Sequence, residues 1–535
     1  MLKIKWVLFL LYSLSNGFSS ANGQPIAVGS LEDNYVREFQ LTGKLDISHS
    51  LMARPFFFNT RWSADSLYRL IDDRNEYKWR KTSIGGKGSI ELLPLRCNSQ
   101  FNSHHPYGWG EPGMIQARGW QSTITAGMYA SIGIVSIQLQ PMLAYAFNPG
   151  FEFNNNYGRV VNGAYHHAFP GQSSIRLNAG AFSLGLSTEN NWWGPGIYNS
   201  LLMSSNAPGF AHLTFNTIRP VRTPVGSFEW QLIAGKLVED TTVLLENKNL
   251  TTSYYNPLTY GGEGFSGNYD PAAKWRYING LTITYQPKWI NGLFIGVNRV
   301  GYSYHDNLDK GVTDFLHSYL PVIFGVFRQT YSYDLFRPGG SLRYKQMLSL
   351  HTRYVFQKAH AEFYGEYGWG DNQYNFRDFI ENVEHSTAFI VGARKMLPLA
   401  NNRWLDCQAE ITQMAQPVSR VLRDAGNWYG YQGGYTNQSR ILGAGIGPGS
   451  NVQTFAATWI NGWTRLGIKL ERLQHDPDNY PVYWRDLSVG ILGQKRWGDL
   501  LVNMLLQFVN SENYLWDAGK NRFNLHAELR TAYRF

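Results

Sequence analysis

The last fourteen residues, Arg522 to Phe535, constrain the fold more than any other stretch. One face of this segment carries Phe523, Leu525, Ala527, Leu529, Thr531, Tyr533 and Phe535. The other carries Arg522, Asn524, His526, Glu528, Arg530, Ala532 and Arg534. Side chains alternate across a β-strand, so this is one extended strand with an apolar and a polar face. Strands of soluble domains average about five or six residues, whereas a tilted strand needs about nine to eleven to cross a bilayer. In a soluble sandwich such a strand would leave its apolar face uncovered. In a membrane barrel that face meets lipid and the charged face lines the lumen.

Other segments repeat the pattern. Leu348, Leu350, Thr352, Tyr354 and Phe356 alternate with Ser349, His351, Arg353 and Val355. After a tight turn at Gln357–Lys358, Ala361, Phe363, Gly365, Tyr367 and Trp369 alternate with His360, Glu362, Tyr364 and Glu366. The two runs predict a hairpin of spanning length with a short periplasmic turn. Leu466, Ile468 and Leu470 alternate with Arg465, Lys469 and Glu471, and Gln121 to Phe147 reads as another hairpin. Long polar, Gly- and Tyr-rich stretches, Thr252 to Trp275 and Asp424 to Asn451, separate such runs. Short turns alternating with long loops are the asymmetry of this barrel class, and the spacing allows roughly 16–20 strands. Composition agrees: 16% of residues are charged, 15% are aromatic, and 54 are Gly. By itself it also fits a soluble β-sandwich or propeller.

The N-terminus sets the compartment. Lys3 and Lys5 precede the apolar run Trp6 to Leu14, and small and polar residues follow to Gly23. This is the order of a secretory signal peptide, assigned to residues 1–23, with cleavage between Ser20 and Gln24. Nothing beyond residue 24 has 18 consecutive apolar residues, so no transmembrane helix is expected. Two cysteines, Cys97 and Cys407, form either one disulfide in an oxidising periplasm or two separate thiols. Residues 24–112 read as a helical lead-in before a barrel over 113–535. Ser30 caps a first helix with Asp33 at the capping-box position and Leu31, Tyr35 and Phe39 on one face. Ser63 opens a second, with Leu67, Leu70 and Ile71. Such a region is placed to plug or cover the periplasmic mouth.

Three blocks go beyond generic barrel features: His105 to Ser122 (HPYGWGEPGMIQARGWQS), Glu189 to Phe210 (ENNWWGPGIYNSLLMSSNAPGF) and Gly430 to Ser450 (GYQGGYTNQSRILGAGIGPGS). They resemble the capsule assembly Wzi family of outer-membrane proteins, the second block most specifically. The resemblance implies an all-β transmembrane barrel of about 18 antiparallel strands with a small helical region at its periplasmic end. It also implies a lectin-like role in holding capsular or other exopolysaccharide at the outer membrane. Beside the polysaccharide, the expected partners are outer-membrane lipid and the barrel assembly machinery, which a C-terminal Phe such as Phe535 addresses.

Candidate binding residues follow from chemistry. Trp192 and Trp193 precede the sharp bend Gly194-Pro195-Gly196, where a ring can stack on a sugar while Asn191 bonds its hydroxyls. The alternative is an aromatic and Asn cluster that packs the barrel interior. Trp428, Tyr429, Tyr431 and Tyr435 lie in a Gly-rich stretch expected outside the cell, and rigid amphipathic rings suit carbohydrate contact. Their alternative is loop-on-loop packing. Arg423 and Arg440 flank them and can pair with uronate carboxylates. An enzyme is not expected: GxSxG, HExxH and CxxC patterns are missing from the sequence. His104-His105 and His166-His167 lack a third ligand at suggestive spacing, so neither metal nor cofactor is assigned. Ser349 and His351, two apart on one strand, are the one conceivable nucleophilic pair. The modest net charge of +9 calls for no nucleic acid. The rival functions are a porin or saccharide-selective channel and, behind it, a lipid or glycan hydrolase.

Overall fold

Alternation on this scale closes a wall. The computed structural model describes residues 25–57, 71, 81–84, 88–152, 163–238, 275–304, 345–370, 386–416, 428–429, 435–478 and 480–535. Eighteen antiparallel strands form a closed barrel. In chain order they are β1 (Gly88–Asn102), β2 (Gly119–Ile132), β3 (Val135–Leu139 and Met142–Ala146), β4 (Tyr165–Phe169 and Ser174–Ala179), β5 (Phe182–Ser187), β6 (His212–Thr217), β7 (Gly226–Leu237), β8 (Arg276–Pro287) and β9 (Leu293–Tyr304). They continue as β10 (Lys345–Phe356), β11 (Ala361–Trp369), β12 (Thr387–Leu399), β13 (Arg403–Gln413), β14 (Asn451–Asn461), β15 (Thr464–His475), β16 (Trp484–Trp497), β17 (Leu500–Glu512) and β18 (Arg522–Tyr533). β18 pairs with β1 in a register running from His526↔Asn102 to Tyr533↔Leu95, which closes the ring. The first spanning strand therefore begins at Gly88, preceded by a short strand, Lys81–Ile84, paired with its start; both lie inside the stretch 24–112 expected to be a lead-in, because β18 needs an antiparallel partner on its free edge.

The two faces sort as the alternation predicts. Phe523, Leu529 and Tyr533 are exposed on the outside of β18, while Asn524 and His526 are buried inside. The hairpin β10–β11 forms with Phe356 paired to Ala361. Cys97 on β1 and Cys407 on β13 are free thiols with five strands between them, which rules out the disulfide.

The N-terminal segment enters the lumen at the end with the short turns, the periplasmic end of such barrels. Its helix, α1 (Leu31–Leu41), starts at Ser30, whose Oγ accepts the Asp33 N–H at 3.3 Å. The Asp33 carboxylate accepts the Gly29 N–H at 3.2 Å, one residue before the expected capping-box partner. Tyr35 and Phe39 pack on Trp463, Leu501 and Ala532, and Leu41 packs with Ile47, Met52, Phe294, Val355 and Met396. A charged helix fits in a charged lumen because each charge finds an opposite one. Arg37 meets Glu362 at 2.6 Å, Arg96 meets Glu32 at 2.8 Å, and Arg465 meets Glu38 at 2.8 Å. The expected second helix, apart from Ile71, and the expected signal peptide lie outside the described residues.

Candidate functional site

The three sequence blocks converge on one spot in the lumen, above α1. Asn206, in the connection from β5 to β6, is the junction. Its Oδ1 accepts the Gly110 N–H at 3.3 Å and an Arg440 N–H at 3.3 Å. Its Nδ2 donates to the Ile441 carbonyl at 3.0 Å. Beside it, Ser205 Oγ donates to the Gly110 carbonyl at 2.8 Å, and Ser204 Oγ donates to the Gly443 carbonyl at 2.5 Å. Residues far apart in sequence thus form one polar layer across the barrel.

Two lumenal carboxylates carry the middle block. Glu410 on β13 accepts the backbone N–H of Ile197 at 2.6 Å and of Asn199 at 2.9 Å, plus the Tyr364 hydroxyl at 2.9 Å. Glu366 on β11 accepts the Leu201 N–H at 3.3 Å and the Ser349 hydroxyl at 2.7 Å. A loop brought into a barrel loses water from its backbone amides, and wall carboxylates replace that water. Ser349 is therefore bonded to Glu366, and His351 faces Thr284 at 3.2 Å. The pair is not arranged as a nucleophile and its base.

Several expected contact residues are interior ones. Trp193 is fully buried and donates from Nε1 to Gln231 at 2.7 Å; Gln231 in turn donates to Asn191 at 2.8 Å. Trp192 is buried with the Arg54 guanidinium 4.6 Å from its ring centroid, and Trp192 and Trp193 pair with Arg54 and Ala53 in a two-stranded ribbon. The structure thus buries Trp192, Trp193 and Asn191 in the barrel interior. The same correction applies to Trp428, Tyr429 and Tyr435, expected on an exposed loop and found in the main core cluster. Tyr429 and Tyr435 donate to the carbonyls of Leu201 and Leu202, each at 2.6 Å. Arg440 is half-buried and donates to the Met114 carbonyl. Arg423 and Tyr431 lie outside the described residues. The physical reason is volume. An 18-stranded lumen is wide enough for a water channel unless chain fills it, and aromatic rings fill the most space per residue. Glycines make room for them: a Cβ on Gly368 would stand 2.7 Å from the Trp428 ring, and one on Gly443 2.1 Å from the Tyr429 hydroxyl.

The opposite, extracellular rim carries an aromatic group that the sequence reading passed over. It is built on the connections β15–β16 and β17–β18. The rings of Tyr480 and Trp516 stack with centroids 3.8 Å apart, and His475 stacks on Trp484 at 3.7 Å. Trp516 donates from Nε1 to the His475 carbonyl at 3.1 Å, and Trp484 donates to Asp486 at 2.9 Å. Leu515 and Trp516 both hold positive φ, 60° and 59°, a costly backbone that surrounding contacts must enforce. Tyr483 is 47% exposed, with Arg485 5.1 Å from its ring centroid. His105 lies below, buried, 4.6 Å from Tyr514; burial first of all lowers its pKa to about 4. The available signal was the density of aromatics in Tyr480 to Trp484 and Tyr514 to Trp516, in the two connections that flank β16 and β17.

Residues 136–525 match the protein family described as capsule assembly protein Wzi. No curated protein matches the chain. Among solved structures, the chain is similar to Wzi, an outer membrane protein involved in group 1 capsule assembly in Escherichia coli and a carbohydrate-binding β-barrel. That similarity covers 96% of this chain and 99% of the other, at 14% identity and a TM-score of 0.59. OccAB2 of Acinetobacter baumannii and OpdQ of Pseudomonas aeruginosa align at TM-scores of 0.40 and 0.39, with 10% and 9% identity, each over 83% of this chain and 97% of its own.

Proposed function

The chain belongs to the capsule assembly protein Wzi family, and on that premise we propose that it binds surface polysaccharide without chemical turnover and so assists capsule assembly or attachment. It is a capsule-related outer-membrane protein. One observation carries the binding reading over transport: the blocks that make the family resemblance are spent on a layer of chain across the lumen, with α1 as a second layer beneath. Polymer contact then falls to the extracellular rim. Tyr480, Tyr483 and Trp516 are the described residues best suited to stack on sugar rings; Tyr431 and Arg423, from the sequence between β13 and β14, are proposed as further polymer contacts on their chemistry alone. Trp192, Trp193, Asn191, Trp428, Tyr429, Tyr435 and Arg440 support that surface from within. Single ring contacts are weak, but a polymer offers many repeats, and avidity holds it. Phe535, exposed at the periplasmic end, serves as the assembly signal.

The test is a Tyr483→Ala/Trp516→Ala double variant in the encapsulated cell, with cell-bound and shed capsule measured separately. The expected result is more shed polymer at unchanged barrel level. Full retention of capsule at normal barrel level would remove the rim from consideration.

A further inference from the structure

Outside the barrel, at the extracellular ends of β1 to β3, an open groove of about 480 Å³ runs down the lipid-facing wall. Its sides are the rings of Phe101, Trp120, Tyr145 and Phe147, all exposed, and Pro149. Phe101 and Trp120 are register partners, and Phe147 donates its N–H to the Trp120 carbonyl at 2.8 Å, so rigid strands hold the rings. Arg118 stands at the groove's extracellular end. Its Nε donates to the Ser103 carbonyl at 3.1 Å and its Nη1 to the Gly150 carbonyl at 2.9 Å. These two bonds aim the guanidinium and leave Nη2 for an outside acceptor. Further cations gather around the same corner. Arg522 lies 3.6 Å from Glu152, which also pairs with Lys520. Burial and then the charges of Arg522 and Arg118 hold the neighbouring His104 below its usual pKa.

We propose that this groove binds one phosphorylated glycolipid of the outer leaflet, with an acyl chain along the aromatic walls and a phosphate on Arg118. The chemistry is two-sided. An apolar groove on the lipid face is filled by hydrocarbon, and a guanidinium at the headgroup level selects an anion it can bond directly. Arg522 and Lys520 stand above it, sharing Glu152, with Asp517 3.5 Å from Lys520. A zwitterionic phospholipid satisfies the groove but not the cations. A bisphosphorylated, multiply acylated glucosamine disaccharide satisfies both. The groove lies on the outer wall of β1 to β3, next to the β17–β18 connection of the rim, and does not depend on the reading given for the rim.

Native mass spectrometry of the full-length protein in nanodiscs tests the assignment. The probe is that bisphosphorylated glycolipid in competition with phosphatidylglycerol, with its dephosphorylated form as control. One glycolipid should stay bound through activation that strips phosphatidylglycerol. Arg118→Gln should weaken retention about tenfold, the loss expected when one charge-assisted bond goes. Trp120→Leu should weaken it while keeping the wall apolar. Equal retention of the dephosphorylated form or of phosphatidylglycerol would mean ordinary boundary lipid and overturn the proposal. So would unchanged retention in Arg118→Gln. If that variant assembles poorly, Arg522→Gln gives the same readout with the same two outcomes.

Discussion

His105 has no exposed surface and touches polar neighbours on every side. Its Nε2 lies 3.1 Å from Ser511 Oγ, its Nδ1 lies 3.1 Å from His104 Nδ1, and Asp486, His475 and Tyr514 surround it. Burial, working against the Asp486 charge, lowers its pKa to about 4. An unfolded His titrates near 6.5. Between those values the unfolded chain binds the extra proton, so stability rises with pH there and is lost as pH falls from about 6.5 to 4. The loss is at most about 3 to 4 kcal/mol. Denaturant melts of the detergent-solubilised barrel across this window should show the slope, and His105→Gln should flatten it; an equal slope in both proteins would place the proton elsewhere. A second prediction separates filling from binding. Trp428→Ala empties a fully buried site and should cost about 3–5 kcal/mol, read as a lower heat-induced unfolding temperature. Tyr483→Ala, at an exposed position, should stay within about 0.5 kcal/mol of the parent.

Ion pairs decide the docking of α1. Glu362 sits between Arg37 at 2.6 Å and Arg353 at 2.7 Å, all three buried. Glu362→Gln leaves two guanidinium groups without a counter-charge, a change worth about 3–5 kcal/mol for a buried pair. The helix should loosen, and trypsin should cut after the exposed Lys44 faster than in the parent protein. Unaltered cleavage would show that apolar packing on Trp463 and Phe294 suffices. Elements also show how far sequence reading reaches. β18 was legible in full because its alternation runs unbroken with lipid on one side and lumen on the other. β1 was not. Its register shifts between Leu93 and Arg96, so the exposed positions pass from Ile90 and Leu92 to Leu95 and Phe101, and the phase changes in mid-strand. A bulge of this kind hides a strand from period-two reading. The site suffered differently. Gly-rich aromatic stretches look alike in sequence whether they face water or fold into a lumen, and what sends Trp428 inward is Leu201 and Gly368, more than fifty residues away.

At the scale of the molecule, the barrel is closed by two layers, each with its own anchoring side chains on the wall. The lower layer, α1 and the chain to Phe57, is tied by Glu362, Arg353 and Arg465. The upper layer, the connection β5–β6 with the blocks from β1–β2 and β13–β14, is tied by Glu410 and Glu366. The layers also touch, through Arg37 on the Pro195 carbonyl at 2.6 Å and Arg54 on the Gly196 carbonyl at 3.2 Å. Redundant closure makes a prediction that a single plug does not. In planar bilayers the full-length protein should conduct little. Deleting residues 30–57 should remove the lower layer but leave the carboxylate-bound upper one, so conductance should rise only slightly. Replacing Gly194–Ser204 by a short Gly-Ser linker should likewise leave α1 in place. Deleting both should expose the charged inner wall of an 18-stranded barrel, a lumen wide enough for water, and produce large stable channels. Large channels from the full-length protein would instead support the porin function, because then neither layer would seal the wall it is anchored to.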